Sequence, residues 1–261
     1  MNNIFDILGS HRSIRKYTDQ PVDKKLLDQI LDSARQAPTS SNLQAYSIIV
    51  VRDPAKKKLL AEYCGNQAWI EQCPVFLAIC PDLRRLHEVC RLRGYSMKDQ
   101  YLEIFLVSVV DASLVAQNIA VASEASGLGI CMIGAIRNNP DKVCELLKLP
   151  DRVFPLMGMC LGHPDHEPMI KPRLPHDLAI HLEEYNSDLL TSLLADYDRA
   201  IQATGLYEGA HRKIAAPDGR QIPDSEYSWT EHTARRAASN NPATLRAHMR
   251  NFLENRKIGL G

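Results

Sequence analysis

The sequence predicts a mixed fold of helices and strands in one main domain with a C-terminal extension. Helical and strand patterns alternate irregularly along the 261 residues, and no internal repeat is found. No Gly/Ser-rich linker divides the chain, as one would between independent domains. We therefore expect a main domain over residues 1–195. Residues 196–261 should form an extension that packs on the same domain or on its partner.

Capping residues and apolar spacing predict the individual elements. Asp23 is an N-cap type before a helix whose apolar residues recur from Leu26 to Ala34, and Pro38 ends it. Apolar runs, the first rich in Ile and Val, predict strands over Tyr46–Val51, Val75–Cys80, Ile130–Ile133 and Val153–Leu161. Further helices are expected over Ala55–Cys64, Arg84–Gln100 and Asn139–Leu149, and from about residue 187 onward around a polar loop at 205–225.

The longest predicted helix covers Ile104–Ser126 and ends at Gly127. Apolar residues lie on nearly every side of it, so it should be buried in a core or against a partner chain. Its apolar stretch is interrupted by Asp111, Gln117 and Asn118. A membrane span tolerates such residues poorly, and Met1–Lys16 lack the apolar core of a signal peptide. We expect no membrane association.

Charge and cysteine content narrow the class of protein. The 31 cations balance 31 acids, whereas nucleic-acid binders usually carry a basic excess. The seven cysteines are odd in number and include no Cys-x-x-Cys pair, which argues against a zinc site or a catalytic dithiol. This cysteine usage fits a reducing cytoplasm.

Several familiar catalytic signatures are incomplete. Met132 stands where the dinucleotide fingerprint after Gly127 needs its third glycine, and Ala135 replaces the lysine of a phosphate-binding loop. No Gly-x-Ser-x-Gly elbow occurs. His163 and His166 have a metal-compatible spacing but lack an evident third ligand, so a solvated loop is the better interpretation.

Four segments remain as candidates for a binding site: two cationic clusters, a hydroxyl/amide loop and a glycine-rich loop. They are His11-Arg12-Ser13-Ile14-Arg15-Lys16, Pro38-Thr39-Ser40-Ser41-Asn42-Leu43-Gln44, Gly127-Leu128-Gly129-Ile130-Cys131-Met132-Ile133-Gly134 and Lys171-Pro172-Arg173-Leu174-Pro175. Taken singly, each has a structural alternative: a solvated charged segment, turn chemistry, a tight turn or an exposed loop. Arginine forks bind phosphate, Ser and Gln hydrogen-bond a heteroaromatic edge, and glycine allows close backbone approach. Together they suit one planar ligand that carries a phosphate.

In order and spacing these segments resemble the oxygen-insensitive nitroreductase and NAD(P)H–flavin oxidoreductase family, in its larger group A branch. The resemblance spans about residues 4–195. It also includes Gly65-x-Gln67, Ile136-Arg137-Asn138-Asn139 and Leu161-Gly162. It implies an α+β nitroreductase-type fold with a central, mostly antiparallel sheet flanked by helices. It further implies FMN as cofactor and an entwined homodimer with each flavin at the subunit interface.

The resemblance also implies roles for individual residues. The phosphate would be held by His11, Arg12, Ser13 and Arg173. Arg15 and Lys171 would face the N1–O2 side of the flavin ring. Ser40, Ser41, Gln44 and Gln67 would line the ring or the ribityl chain. Met132, Ile133 and the Gly134 N–H would lie near N5. Asn42 and Ala135 depart from the group A pattern, which puts the shape of the pocket in question.

The implied activity is a two-step, ping-pong reaction in which NADPH or NADH reduces FMN and leaves. A nitroaromatic, a quinone or free flavin then accepts two electrons. The C-terminal third departs most from the family, with an apparent insertion over Lys213–Ser225. Arg212 and Lys213 are the candidates for contact with the NADPH 2′-phosphate. Two alternatives stay open: a specialised flavin enzyme of the same fold, such as a dehalogenase or dehydrogenase, and a non-enzymatic phospholigand-binding protein.

Overall fold

The computed structural model describes residues 3–209 and 214–259. It divides into two compact units, the first made of residues up to Met169 together with those from Arg246, and the second of Ile170–Leu245. Arg212 and Lys213 lie outside the described residues.

A four-stranded antiparallel sheet forms the centre of the first unit. Its strands are β1 (Tyr46–Val51), β2 (Val75–Pro81), β3 (Gly129–Ile133) and β4 (Met157–Gly162). The spatial order is β1-β2-β4-β3, so β1 and β3 are the two edges. Strand β4 pairs antiparallel with both β2 and β3. Its Cys160 lies opposite Phe76 of β2 and opposite Cys131 of β3. The predicted antiparallel α+β architecture is confirmed.

Helices cover both faces of this sheet. They are α1 (Ile4–Gly9), α2 (Lys24–Ala34), α3 (Pro54–Tyr63), α4 (Ala68–Gln72), α5 (Arg84–Leu92), α6 (Leu102–Ala125), α7 (Pro140–Leu147) and, near the end of the chain, Met249–Asn255. Side chains alternate across a strand. Leu77 and Ile79 of β2 therefore pack with α2 and α6, whereas Phe76 and Ala78 join a second core. The predicted N-cap is present, since the Asp23 carboxylate accepts from Leu26 N at 2.9 Å.

Two predicted boundaries were wrong. The fourth strand begins at Met157 rather than Val153, because Val153 makes only an isolated bridge to Asp82 before the chain reaches the sheet. The helix predicted over Arg84–Gln100 ends at Leu92, where Gly94 adopts a left-handed φ of 76°.

Helix α6 lies across the sheet and carries a buried carboxylate, that of Asp111. Asp111 is fully buried, and its carboxylate accepts from Ser40 N and Ala45 N, both at 3.0 Å. By length and composition α6 could also cross a membrane, but core helices of soluble proteins pass the same test. Its contacts with α2 and with three strands identify it as a core helix.

The second unit is mainly helical. It contains the helices His176–Ala179, Leu190–Gln202, Trp229–Ala237 and Pro242–Leu245. Tyr197 and Trp229 meet edge to face at 5.3 Å, and Asp198 accepts from Thr230 N at 2.9 Å. The unit therefore has its own small core between its two longer helices.

Candidate active site

The segment His11–Arg15 runs alongside the edge strand β3. Ile14 N donates to Ile130 O at 2.8 Å, and Ser13 forms a parallel bridge with Ile130. A Cβ at Gly129 would lie 2.4 Å from Ile14 Cγ1, so only glycine permits this approach. The first cationic motif and the glycine-rich motif are thus brought together at one edge of the sheet.

The first two residues of this segment are paired with carboxylates. His11 Nδ1 lies 2.6 Å from Glu124 Oε1, and the Arg12 guanidinium donates to Glu167. The Glu124 side chain is 16% exposed, whereas that of Glu167 is 82% exposed. Glu124 is therefore fixed on α6, while Glu167 lies on the surface and is free to exchange its place with an external anion.

A cavity of about 620 Å³ opens beside this segment. Its lining includes Ser10, Arg12, Ile14, Glu124, Gly127, Leu128, Gly129, Pro164, His166 and Glu167. His166 Nδ1 is buried and has no hydrogen-bond partner among the described residues. A buried polar atom without a partner is costly, so this cavity suits a polar ligand. The combination of a guanidinium with an unpaired ring nitrogen fits a phosphate group.

Arg15 extends the site toward α4. Its guanidinium lies over the Trp69 ring at 5.6 Å from the centroid, and Trp69 Nε1 is a second buried donor without a partner in the described chain. Gln67 precedes this helix, and its Nε2 donates to Cys64 O at 3.0 Å. Gly65, in the turn between α3 and Gln67, adopts a left-handed φ of 82°, which glycine permits. Gln67 and Arg15 therefore lie in neighbouring parts of the first unit.

The end of β3 supplies the remaining residues of this group. Met132 is 38% exposed in a strand whose other residues are buried, and Ile133 is among them. Gly134 begins a 3₁₀ turn, and Asn139 Nδ2 after this turn donates to Tyr63 O at 2.8 Å. This bond ties the turn to the loop that leads to Gln67.

Arg137 belongs to the same 3₁₀ turn and is partly buried. Its guanidinium donates to Leu156 O and lies 3.6 Å from where a Cβ of Gly134 would be. Burial lowers the pKa of Arg137, and the nearby Arg246 lowers it further. The group stays charged at neutral pH because the ordinary pKa of arginine is above 12. Positive charge therefore lies close to Gly134, at the end of the strand that carries the exposed Met132.

The loop that carries Ser40, Ser41 and Gln44 is separately constrained. Ser41, Asn42 and Gln44 have left-handed φ angles of 47°, 58° and 51°. The Asp111 bonds hold the loop in this conformation, and Gln44 Nε2 donates to Asn42 Oδ1 at 3.2 Å. Non-glycine residues adopt such angles where surrounding contacts determine them, often at binding sites. The side chains of Ser40, Ser41 and Gln44 are exposed.

Within one chain this loop lies far from the segment His11–Arg15. The loop is anchored on Asp111 and His11 on Glu124, thirteen residues along the same helix. At 1.5 Å per residue, these anchor points are about 20 Å apart. The loop also leads into β1, the edge of the sheet opposite β3. The structure thus brings together His11–Arg15, Gln67 and Met132–Gly134, but not the Ser40–Gln44 loop.

Lys171 and Arg173 belong to the second unit, and both are exposed. Between them, Pro172 O accepts from Tyr197 Oη at 2.9 Å, which fixes the segment on the helix Leu190–Gln202. Among the described residues, no group of three or more His, Cys, Asp or Glu could hold a metal ion.

Three acidic residues of this region were not assigned a role from the sequence. Asp111 could be recognised as a polar residue in an apolar helix that needs partners, although not which partners. The only feature of the sequence that could have indicated a role for Glu124 is its position, because acids are unfavourable in the last turn of a helix. Glu167 gave none, because its pairing with Arg12 joins residues 155 positions apart.

Comparison with known proteins decides the family. The model of the nitroreductase family matches residues 8–163, and that of its C-terminal domain matches residues 171–260. This chain belongs to the nitroreductase family. The family resemblance seen in the sequence motifs is therefore confirmed.

Individual relatives of this nitroreductase-family chain cover most of its length. An FMN reductase (NADPH) of Bacillus subtilis is 43% identical over 205 residues, which are 77% of this chain and 82% of that protein. An oxygen-insensitive NADPH nitroreductase of Salmonella typhimurium is 38% identical over 213 residues, with 82% and 87% covered. Each of these names describes the relative.

Solved structures agree with the fold. The structure of B. megaterium NfrA2 superimposes with a TM-score of 0.88 at 36% identity, covering 100% of both chains. An NADPH:FMN oxidoreductase from Vibrio harveyi, complexed with NAD+, gives a TM-score of 0.83 at 32% identity and covers 98% of both. The nitroreductase-type fold is confirmed.

Proposed function

We propose that this protein is an FMN-dependent oxidoreductase that transfers two electrons from NADPH or NADH to nitroaromatics, quinones or free flavin. The observation that carries the proposal is the cavity beside β3 in this nitroreductase-family chain, because Arg12 and His166 both line it and His166 Nδ1 has no hydrogen-bond partner among the described residues. FMN, when bound, supplies the electron-transfer chemistry, so no protein nucleophile is required.

The protein's own residues hold and orient the cofactor in this proposal. His11, Arg12, Ser13 and Arg173 bind its phosphate by charge-assisted hydrogen bonds. Gln67, Ser40, Ser41 and Gln44 hydrogen-bond the ring edge or the ribityl chain. Arg15 and Lys171 place positive charge at the N1–O2 side of the ring. Met132 and Ile133 contact the ring, and the Gly134 N–H is directed to N5.

A homodimer completes the site in this proposal. A single chain keeps the Ser40–Gln44 loop about 20 Å from the His11 anchor, measured along α6 at 1.5 Å per residue. Helix α6 also presents an unpartnered apolar stripe, formed by Leu102, Leu106, Val110 and Leu114, each between 38% and 53% exposed. Residues at i+4 spacing form one face of a helix, and such a face favours burial against a second chain. A second copy packed on this stripe would bring its own Ser40 loop to the flavin.

The proposed reaction alternates two substrates at one face of the ring. The donor binds over the exposed Met132 and the neighbouring Gly134, where Arg137 provides a nearby positive charge for its phosphates. It leaves before the acceptor enters the same place, which is a ping-pong order. Exclusion of one substrate by the other follows from this shared position.

We also propose a cytoplasmic location. None of the seven cysteines forms a disulfide in the chain, and six of them are buried. A reducing compartment preserves such thiols.

Anaerobic titration of the purified protein with NADPH, and separately with NADH, tests the function. We expect a yellow protein whose visible flavin absorption is bleached by the donor and restored by a quinone or a nitroaromatic. Chromatography of the released chromophore should give FMN. A colourless protein that FMN does not reconstitute, or one that releases FAD, would contradict the proposal.

A further inference from the structure

Glu124 occupies a position that helix stability does not explain. It lies in the last turn of α6, where the negative end of the helix dipole disfavours an acid. Its side chain is 16% exposed, and its Oε1 lies 2.6 Å from His11 Nδ1. A partly buried acid at an unfavourable helix position is typical of a functional constraint.

The contact with Glu124 engages Nδ1 of His11 and leaves Nε2 for another partner. An ionised carboxylate only accepts hydrogen bonds, so Nδ1 carries the hydrogen that Glu124 receives. The ring plane is then set by Glu124, and Nε2 is the nitrogen left for another partner. At metal sites, proteins use the same carboxylate–histidine arrangement to fix the tautomer and the orientation of the imidazole. Glu124 also lines the 620 Å³ cavity with Ser10 and Arg12, the residues on either side of His11 in the chain, so the carboxylate that contacts His11 lies beside the proposed phosphate position.

We propose that Glu124 is the positioning residue for His11, and that it thereby determines the preference of this protein for phosphorylated flavin over riboflavin. This inference rests on the proposed function. Glu124 itself does not touch the phosphate, and as a carboxylate it would repel it. Its contribution is transmitted by the imidazole, whose Nδ1 contacts Glu124 and whose Nε2 is left for the phosphate.

Titration of flavin-stripped, full-length protein with FMN and with riboflavin tests the proposal, using the variants Glu124→Ala, His11→Ala and the double variant. Because one charge-assisted hydrogen bond is lost or misdirected, FMN affinity should fall about tenfold in each single variant. Riboflavin lacks the phosphate, so its affinity should not change. The double variant should bind FMN about as weakly as either single one, because both substitutions remove the same interaction.

Two further variants sharpen the result. Glu124→Gln keeps an oxygen that accepts from Nδ1–H, so it should retain FMN affinity within about threefold. Glu103→Ala removes an exposed acid from the first turn of the same helix and should change neither flavin. Urea unfolding of each variant checks separately that it is folded.

An FMN affinity that is unchanged or higher in Glu124→Ala would overturn the proposal. If Glu124 does not position His11, removing its negative charge should leave FMN affinity unchanged or raise it. Equal losses for FMN and riboflavin, or additive losses in the double variant, would also contradict it. If wild-type protein binds neither flavin, the proposed function fails; if wild type binds FMN and Glu124→Ala binds it equally well, only this inference fails.

Discussion

The Arg12 guanidinium and the Glu167 carboxylate form an ion pair at the mouth of the cavity beside β3. Arg12 is one of four residues proposed above to bind the flavin phosphate, with His11, Ser13 and Arg173, and in that proposal the phosphate and Glu167 would compete for one guanidinium. Glu167 is 82% exposed, and an exposed carboxylate is readily displaced because water solvates it well. We therefore expect the pair to lower the apparent affinity for the cofactor without blocking the site.

Glu167→Gln should tighten FMN binding. An exposed ion pair contributes about 0.2–1 kcal/mol, so affinity should rise up to about fivefold. Titration of stripped protein with FMN measures this, at low and at high salt. Asp165→Asn removes an equal charge from the same loop and is the matched control. An equal gain in the control would show a general charge effect instead of competition for Arg12.

Arg12→Ala and Arg173→Ala should each weaken FMN binding. Each change removes a charge-assisted hydrogen bond to the phosphate, at a cost of about 1.5–3 kcal/mol. The dissociation constant from fluorescence titration is the measurement, with Arg35→Ala, at the C-cap of α2, as an exposed control. Unchanged affinity in both variants would mean that the phosphate lies elsewhere.

Local signals in the sequence were sufficient for most elements of the fold. The strand Tyr46–Val51 was predicted at its observed boundaries, because a run of β-branched residues lies between turn residues. The helix after Asp23 was found because its N-cap and its apolar spacing agree. Boundaries failed where tertiary pairing decides them, as at Val153, whose apolar run continues the strand pattern beyond the sheet.

The sequence motifs of the site could be predicted, but the contacts that their residues make could not. The segment His11–Arg15 and the turn at Gly134 carry recognisable residue types, and β3 brings them into one region. Their carboxylate partners were not predictable, since Glu124 and Glu167 meet them across 113 and 155 residues. The separation of the Ser40 loop from His11 depends on the position of α6, which no local pattern contains.

Asp111→Ala should strongly destabilise the protein and loosen the Ser40–Gln44 loop. The substitution leaves the buried amides of Ser40 and Ala45 without their acceptor, at a cost of about 3 kcal/mol. Urea unfolding at fixed protein concentration should show a lower midpoint with a similar slope. Glu103→Ala, exposed on the same helix, should shift stability by less than about 0.5 kcal/mol. A similarly small shift for Asp111→Ala would exclude it as the anchor of the loop.

Val110→Glu should separate the proposed dimer and release FMN together with it. Val110 is the most exposed residue of the apolar stripe on α6, and a carboxylate there would be buried without a partner in the interface. Sedimentation velocity and the flavin-to-protein ratio measure the two effects. Leu59→Glu on α3 is the control, since Leu59 is exposed but lies outside the stripe. A stable monomer that retains FMN would contradict a shared site.

The double variant Arg212→Ala/Lys213→Ala should lose efficiency with NADPH while keeping its rate with NADH and its bound FMN. Both residues precede the Pro217-Asp218-Gly219 turn in the apparent insertion, and they are the candidate contacts for the 2′-phosphate that distinguishes the two donors. A lost contact of this kind costs at most about 1–3 kcal/mol, or about one to two decades in kcat/KM. Steady-state kinetics with each donor and one quinone acceptor measure the change. Lys24→Ala/Lys25→Ala removes two exposed cations from α2 and should leave both donors unaffected. Equal losses with NADPH and NADH would instead indicate a disturbed flavin site, and no loss with either donor would remove this segment from donor selection.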